Sequence, residues 1–100
     1  MIVAPTKELA TQIFEQLEKL IEPFPFIQCF NLAQYIDSHD HTLGNELLDI
    51  IIGTPGRLLA TSAKAPDLFK RLHCVILDEA DLLFSYGYQD EIKFGLFKYK

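Results

Sequence analysis

The sequence predicts an α/β fold built on a parallel sheet. Three observations carry this reading. Short apolar runs alternate with stretches of helical period. Those runs are continuous rather than alternating, as strands covered on both faces require. Three of them end in Pro-Thr, Thr-Pro-Gly or acidic clusters that begin the next segment.

Each element can be justified in order. "MIVA" is an apolar run that stops at Pro5 and reads as a strand. From Lys7 to Glu22, Leu9, Ile13, Leu17 and Leu20 recur at three- and four-residue steps, with Ala10, Phe14 and Ile21 beside them. That is an amphipathic helix, with Thr6 as its N-cap, Glu8 in its first turn and Pro23 and Pro25 as its stop. "FIQCFNL" has strand composition, and "AQYIDSHDHTLGNELL" is a polar stretch without clear period. In "DIIIG" three consecutive isoleucines suit a strand buried on both faces. "TPGRLLATSA" then opens a helix, Thr54 capping and Pro55 at the first helical position. "KAPDLFKRL" reads as a loop or weak turn, "HCVILD" as a fourth buried strand, and "QDEIKFGLFKY" as a closing helix interrupted by Gly95.

The 100 residues suit one small domain, and 49% hydrophobic content supports a core. A net charge of −5 argues against nucleic-acid binding through a broad basic surface. It leaves room for a local contact made by backbone amides and a few side chains. Cys29 and Cys74 belong to no Cys-x-x-Cys pair and read as buried free thiols. No apolar run approaches the roughly 18 residues of a membrane span, and "MIVAPTKELA" lacks the regions of a signal peptide. The expected location is intracellular.

In parallel sheets ligands gather beyond the C-terminal strand ends. Three candidate sites fall there: Pro5-Thr6-Lys7, Thr54-Pro55-Gly56-Arg57 and Asp78-Glu79-Ala80-Asp81. A helix start presents unpaired N–H groups to an anion such as phosphate. Gly56 permits close approach, and Arg57 adds a charged fork. Each Thr-Pro or Pro-Thr motif, taken singly, is more simply a routine helix start. "DEAD" is evenly balanced. Acidic residues favour the first turn of a helix. Equally, a strand-terminal Asp can hold the water shell of Mg²⁺ while a neighbouring Glu orients or deprotonates a water. His39 and His41, around Asp40, lack the converging ligands of a metal site and read as a solvated loop; His73 has no evident partner. Phe84, Tyr86 and Tyr88 read as core and turn packing rather than as base-stacking residues.

Taken in order, these motifs resemble those of the DEAD-box ATP-dependent RNA helicases. "PTKELATQ" resembles motif Ia, with Lys7 where Arg is usual; "TPGR" matches motif Ib, and "DEAD" matches motif II by identity. The resemblance covers nearly the whole chain. It implies a partial RecA-like parallel sheet flanked by helices over residues 1–100, an incomplete first helicase domain of the P-loop NTPase type. It also implies ATP and Mg²⁺ as cofactors and RNA as partner, with ATP hydrolysis coupled to RNA clamping and local unwinding. Carried over by position, Asp78 (through water to Mg²⁺) and Glu79 serve the nucleotide. Asp81 links that site to the RNA side. Pro5, Thr6, Lys7, Thr54, Pro55, Gly56 and Arg57 touch the sugar-phosphate backbone without reading sequence. "LLFSYGY" after motif II resembles a nucleolar branch linked to large ribosomal subunit assembly, which implies a nucleolar location and pre-ribosomal partners.

The chain also departs from the family. These 100 residues hold no G-x-x-x-x-G-K-[ST] loop, no adenine-reading Q motif, no Ser-Ala-Thr motif and no second domain, and "NLAQYI" stands where a Gly-Gly pair is usual. The expectation is a partial sequence, lacking the middle of its sheet, that folds marginally and does not turn over ATP by itself. Two other readings stand beside the helicase: a non-catalytic module that keeps the RNA-backbone grip, and an unrelated α/β phosphate-binding domain. The last requires the three motifs to point to different faces.

Overall fold

The structure, a computed structural model, describes residues 1–34, 48–64, 69–88 and 90. Its elements run β1 (Ile2–Val3), α1 (Lys7–Ile21), β2 (Cys29–Asn31), a 3₁₀ turn (Leu32–Gln34), β3 (Ile50–Gly53), α2 (Pro55–Lys64), β4 (Ile76–Leu77) and α3 (Ala80–Ser85). The strands form one parallel sheet in the order β2-β3-β1-β4. The expected α/β class is therefore present, and these four strands pair without a gap. The expected loss of the sheet's middle does not show among them.

Side-chain alternation divides the sheet into two faces. Met1, Val3 and Ile51 join one core cluster with Leu58 of α2, Phe69 and Leu83 of α3. Ala4 and Ile52, with Ile2 and Ile50 packed alongside, join the other with Ala10, Leu9, Ile13, Phe14 and Leu17 of α1. Successive strand residues point to opposite faces, so the three isoleucines serve both layers, as their uninterrupted run predicts.

α1 forms where its period places it. Thr6 lies in the extended conformation, and the Leu9 N–H donates to Thr6 Oγ1 at 3.1 Å. Glu8 in the first turn and Lys19 in the last complement the helix dipole. α2 begins at Pro55, whose fixed φ and missing donor suit the first helical position. Gly53 ends β3 for a steric reason: a Cβ there would sit 3.2 Å from Leu58 Cγ and 3.3 Å from Leu32 Cβ. The segment after α2 carries a short turn at Phe69, where the Leu72 N–H donates to the Phe69 carbonyl at 3.2 Å.

Several expectations need correction. β4 is not a buried strand. It pairs only with β1 among the described residues, and Ile76 is 53% exposed at that edge. Cys74, just before it, is exposed rather than buried, and Cys29 is half-buried. Phe84 lies on the outer side of α3, exposed rather than in the core; Tyr86, also exposed, packs edge to face on Tyr88 in the turn, with ring centroids 6.4 Å apart, and Tyr88 packs against the core. His39, Asp40, His41 and most of the predicted closing helix lie outside the described residues. Among the described residues no helix is long and apolar enough to cross a membrane.

The run "LLFSYGY" is a helix with its terminator. Gly87 has φ 82, the Gly87 N–H donates to the Phe84 carbonyl at 3.1 Å, and the Tyr88 N–H donates to the Leu83 carbonyl at 3.1 Å. This is the Schellman arrangement, completed by the apolar pairing of Tyr88 with buried Leu83 in one cluster. Gly87→Ala meets no atom within 4 Å, so its cost is conformational. It should lower stability by about 1 kcal/mol, read as a shift in urea midpoint at unchanged slope.

The two thiols should also differ. Burial, reinforced by the charge of Glu18, raises the Cys29 thiol from 9.0 to about 11. The folded state thus holds a proton that the unfolded chain releases above pH 9, and Cys29 is almost wholly thiol at pH 8. Iodoacetamide at pH 8 should label exposed Cys74 well before Cys29, and the difference should vanish in denaturant.

Candidate functional site

The site follows from strand register. Val3 of β1 stands opposite both Gly53 of β3 and Leu77 of β4. Beyond that level the Ala4 N–H donates to the Gly53 carbonyl at 3.0 Å, and the Asp78 N–H donates to the Val3 carbonyl at 2.9 Å. The segments Pro5-Thr6-Lys7, Thr54-Pro55-Gly56-Arg57 and Asp78-Glu79-Ala80-Asp81 therefore leave the sheet from one edge.

α1 and α2 start from this edge on opposite faces of the sheet, so two helix N-termini flank it. At the first, Pro5 is buried, Thr6 half-buried and Lys7 exposed. The Thr6 hydroxyl oxygen is engaged in the cap, which leaves its own O–H as a donor. At the second, Pro55 is buried, and the Thr54 carbonyl accepts from the Leu58 N–H at 2.9 Å. Gly56 is exposed, and a Cβ on it would meet nothing within 4 Å. The protein's own packing thus does not require glycine there, whereas a ligand lying on the backbone would. Arg57 is half-buried beside it. The two prolines shape the turns from inside and offer a ligand little surface.

The acidic segment separates the two readings of "DEAD". Asp78 is half-buried and fixed by its backbone bond to β1. Glu79 is exposed at φ 54, ψ 52, and it is the only non-glycine residue with positive φ among the described residues. It occupies the N-cap position of α3, yet its side chain makes no capping hydrogen bond. A left-handed residue that carries a β-carbon costs about 1–2 kcal/mol. Plain helix-start chemistry would place the residue in extended conformation with its carboxylate on the helix amides. Here the carboxylate is left available instead. Asp81 sits exposed in the first turn of α3.

No group of three His, Cys, Asp or Glu side chains converges among the described residues. The hard carboxylate oxygens of this edge nevertheless suit Mg²⁺, which keeps most of its waters and takes few protein ligands.

One residue on this edge was missed in the sequence. Asn31, paired in register with Ile52 at the end of β2, is only 6% exposed. Its Oδ1 accepts from the Ala33 N–H at 3.0 Å, and its Nδ2 donates to Thr11 Oγ1 at 3.4 Å. It ties the turn after β2 to α1. The one signal available was an Asn closing an apolar run, a pattern that fits many turns.

Comparison with known proteins agrees with the geometry. A model of the DEAD/DEAH box helicase family matches residues 1–98. The chain belongs to this family. Among DEAD-box relatives it is 40% identical over 93 residues to the ATP-dependent RNA helicase DBP9 of Yarrowia lipolytica, covering 92% of this chain and 17% of that protein. It is 34% identical over 97 residues to the human ATP-dependent RNA helicase DDX18, covering 93% of this chain and 14% of that protein. The crystal structure of the yeast DEAD-box splicing factor Prp28 superposes with a TM-score of 0.78 at 26% identity, over 98% of this chain and 23% of that one. The DEAD-box chain thus spans less than a fifth of these two curated relatives.

The strain at Glu79 can be measured directly. Glu79→Gly should fold with equal or greater stability, because glycine adopts positive φ freely. Glu79→Val should be destabilised by roughly 1–2 kcal/mol more than Glu79→Gly. Equal urea midpoints for the two variants would show that the left-handed conformation is absent in solution.

Proposed function

We propose that this chain is the portion of an ATP-dependent RNA helicase that carries the hydrolytic carboxylates and part of the RNA grip. The observation that carries the proposal is the common origin of the three motif segments at one sheet edge, with a strained and uncapped Glu79 among them. The relatives named above as ATP-dependent RNA helicases support it.

Asp78 holds the water shell of Mg²⁺, its position set by the backbone bond to Val3. When bound, Mg²⁺ neutralises charge developing on the phosphates. Glu79 orients the attacking water and accepts its proton at the carboxylate. Asp81, one helical step further, joins this group to the RNA-facing elements. Thr6 and Lys7 at the start of α1, with Thr54, Gly56 and Arg57 at the start of α2, hold sugar-phosphate groups through amides, hydroxyls and cationic forks. Pro5 and Pro55 set those turns from within. Such contacts are blind to sequence, and they suit a chain whose net charge of −5 offers no general attraction for RNA. The "LLFSYGY" resemblance extends the proposal to large ribosomal subunit assembly and a nucleolar location.

Residues 1–100 alone should show no ATP turnover. In the full-length protein, Glu79→Gln should lower the hydrolysis rate by about 10²–10⁴-fold while RNA affinity is retained. If the full-length wild type binds RNA but hydrolyses no ATP, the chain is the non-catalytic RNA-binding module. Arg57→Ala should weaken RNA binding about equally across sequences and reduce the salt slope by about 1. A loss confined to one RNA sequence would contradict the backbone reading.

A further inference from the structure

The end of the sheet away from the motif edge carries an apolar patch that the helicase reading does not use. α1 starts at the C-terminal edge and runs back along the sheet. Its 15 residues span about 22 Å, whereas the four residues of β3 cover about 13 Å. The last turn of α1 therefore passes beyond the strands it packs on, and Leu20 is 69% exposed. Two successive turns follow: the Phe24 N–H donates to the Ile21 carbonyl at 2.8 Å, and the Ile27 N–H donates to the Phe24 carbonyl at 3.0 Å. They hold Phe24 and Phe26 edge to face, with centroids 6.1 Å apart, yet Phe24 is 47% and Phe26 74% exposed. Two prolines stiffen this loop, so the rings are presented with little conformational freedom left to lose.

Charge selects the occupant. Glu15, Glu18 and Glu22 line a shallow groove on the exposed face of α1, with Lys19 as the sole cation in that lining, and Glu22 at its end is separated from Phe24 by one proline in the chain. These carboxylates repel RNA. A second copy seated by two-fold symmetry would bring the same acidic rims together. We propose that the end of α1 and the Phe24-Pro25-Phe26 loop dock a segment of a partner protein. That segment carries one or two large apolar side chains flanked by Lys or Arg: the apolar groups fill the space beside Phe24 and Phe26, and the cations meet Glu15, Glu18 and Glu22. Because this surface lies at the far end of the strands from the motif edge, the partner and RNA bind together.

The test uses the full-length protein as bait for a random peptide-display library, beside its Phe24→Ser/Phe26→Ser variant, whose changed side chains are largely exposed and whose fold is checked by circular dichroism. Peptides enriched by the wild type over the variant should contain Leu, Ile, Phe or Trp flanked by Lys or Arg. Fluorescence anisotropy with an enriched peptide should show about tenfold or more weaker binding to the Phe26→Ser variant. Glu18→Lys should weaken binding several-fold, as should higher salt, with RNA affinity unchanged. Three results would overturn the proposal. The first is a library in which no peptide prefers the wild type, or in which the preferred ones are acidic. The second is a dimer in sedimentation that Phe26→Ser dissolves, which gives the patch to a second copy. The third is hydroxyl-radical footprinting that finds Phe26 already protected in the monomer, which gives it to a segment of the same chain.

Discussion

The arrangement depends on the pairing of β1. This strand has only two residues, yet it is bonded on both sides, to β3 and to β4, and Val3 and the following Ala4 are fully buried. Its carbonyl and amide groups set the level at which its neighbours leave the sheet, because a parallel ladder allows no slip without reversing every side chain between faces. A shift of one residue would carry Ile52 from the α1 layer into the α2 layer and displace Asp78 from the level of Thr54. Hydrophobic sorting between the two faces and alignment of the three motif turns are thus one constraint seen twice. The core specifies the register, and the register assembles the site.

That coupling explains how much was legible in the residues. The strands announced themselves through unbroken apolar runs, and α1 through its period and its Thr6 cap. Given an α/β class, strand ends with Pro-Thr, Thr-Pro-Gly and Asp-Glu had to share an edge, so the convergence of the candidate residues followed from the amino-acid order alone. What was illegible is non-local. Nothing in "HCVILD" distinguishes an interior strand from the outer position that leaves Ile76 exposed, since that depends on which other strand lies alongside. Phe84 has core composition but falls on the outer side of a helix only six residues long, too short for its period to show which face turns inward. The buried amide of Asn31 could not be told from an ordinary turn residue, because its partner Thr11 is 20 positions away.

Glu79 shows how a local rule can fail informatively. Composition made the acidic segment a good helix start, and α3 does begin there. Yet the cap position is held in the left-handed region with its carboxylate off the helix amides. A chain shaped only for stability would place Ser, Thr, Asp or Gly there in extended or relaxed geometry. Retaining a strained glutamate is therefore evidence for a task other than capping. The short Schellman-terminated α3 holds the far side of this turn, through buried Leu83 and the Tyr88 contact, while the Asp78 bond to Val3 holds the near side. The strained residue is clamped between two well-anchored points, the condition under which such strain persists.

The two ends of the strands consequently do different work. At the C-terminal edge, backbone amides, a bare Gly56 and available carboxylates face outward over a closely packed base, an arrangement suited to anionic ligands and the metal that accompanies them. At the opposite edge α1 outruns the strands it packs on, and its apolar period continues into exposed Leu20. Helix length beyond the sheet adds nothing to the core, and exposed Phe24 and Phe26 add an aggregation liability. Their pairing, their proline-stiffened turns and their acidic surroundings are more simply explained by recognition than by folding. α1 begins at the motif edge and ends at the turns that carry these rings, so one helix separates the two surfaces by its own length.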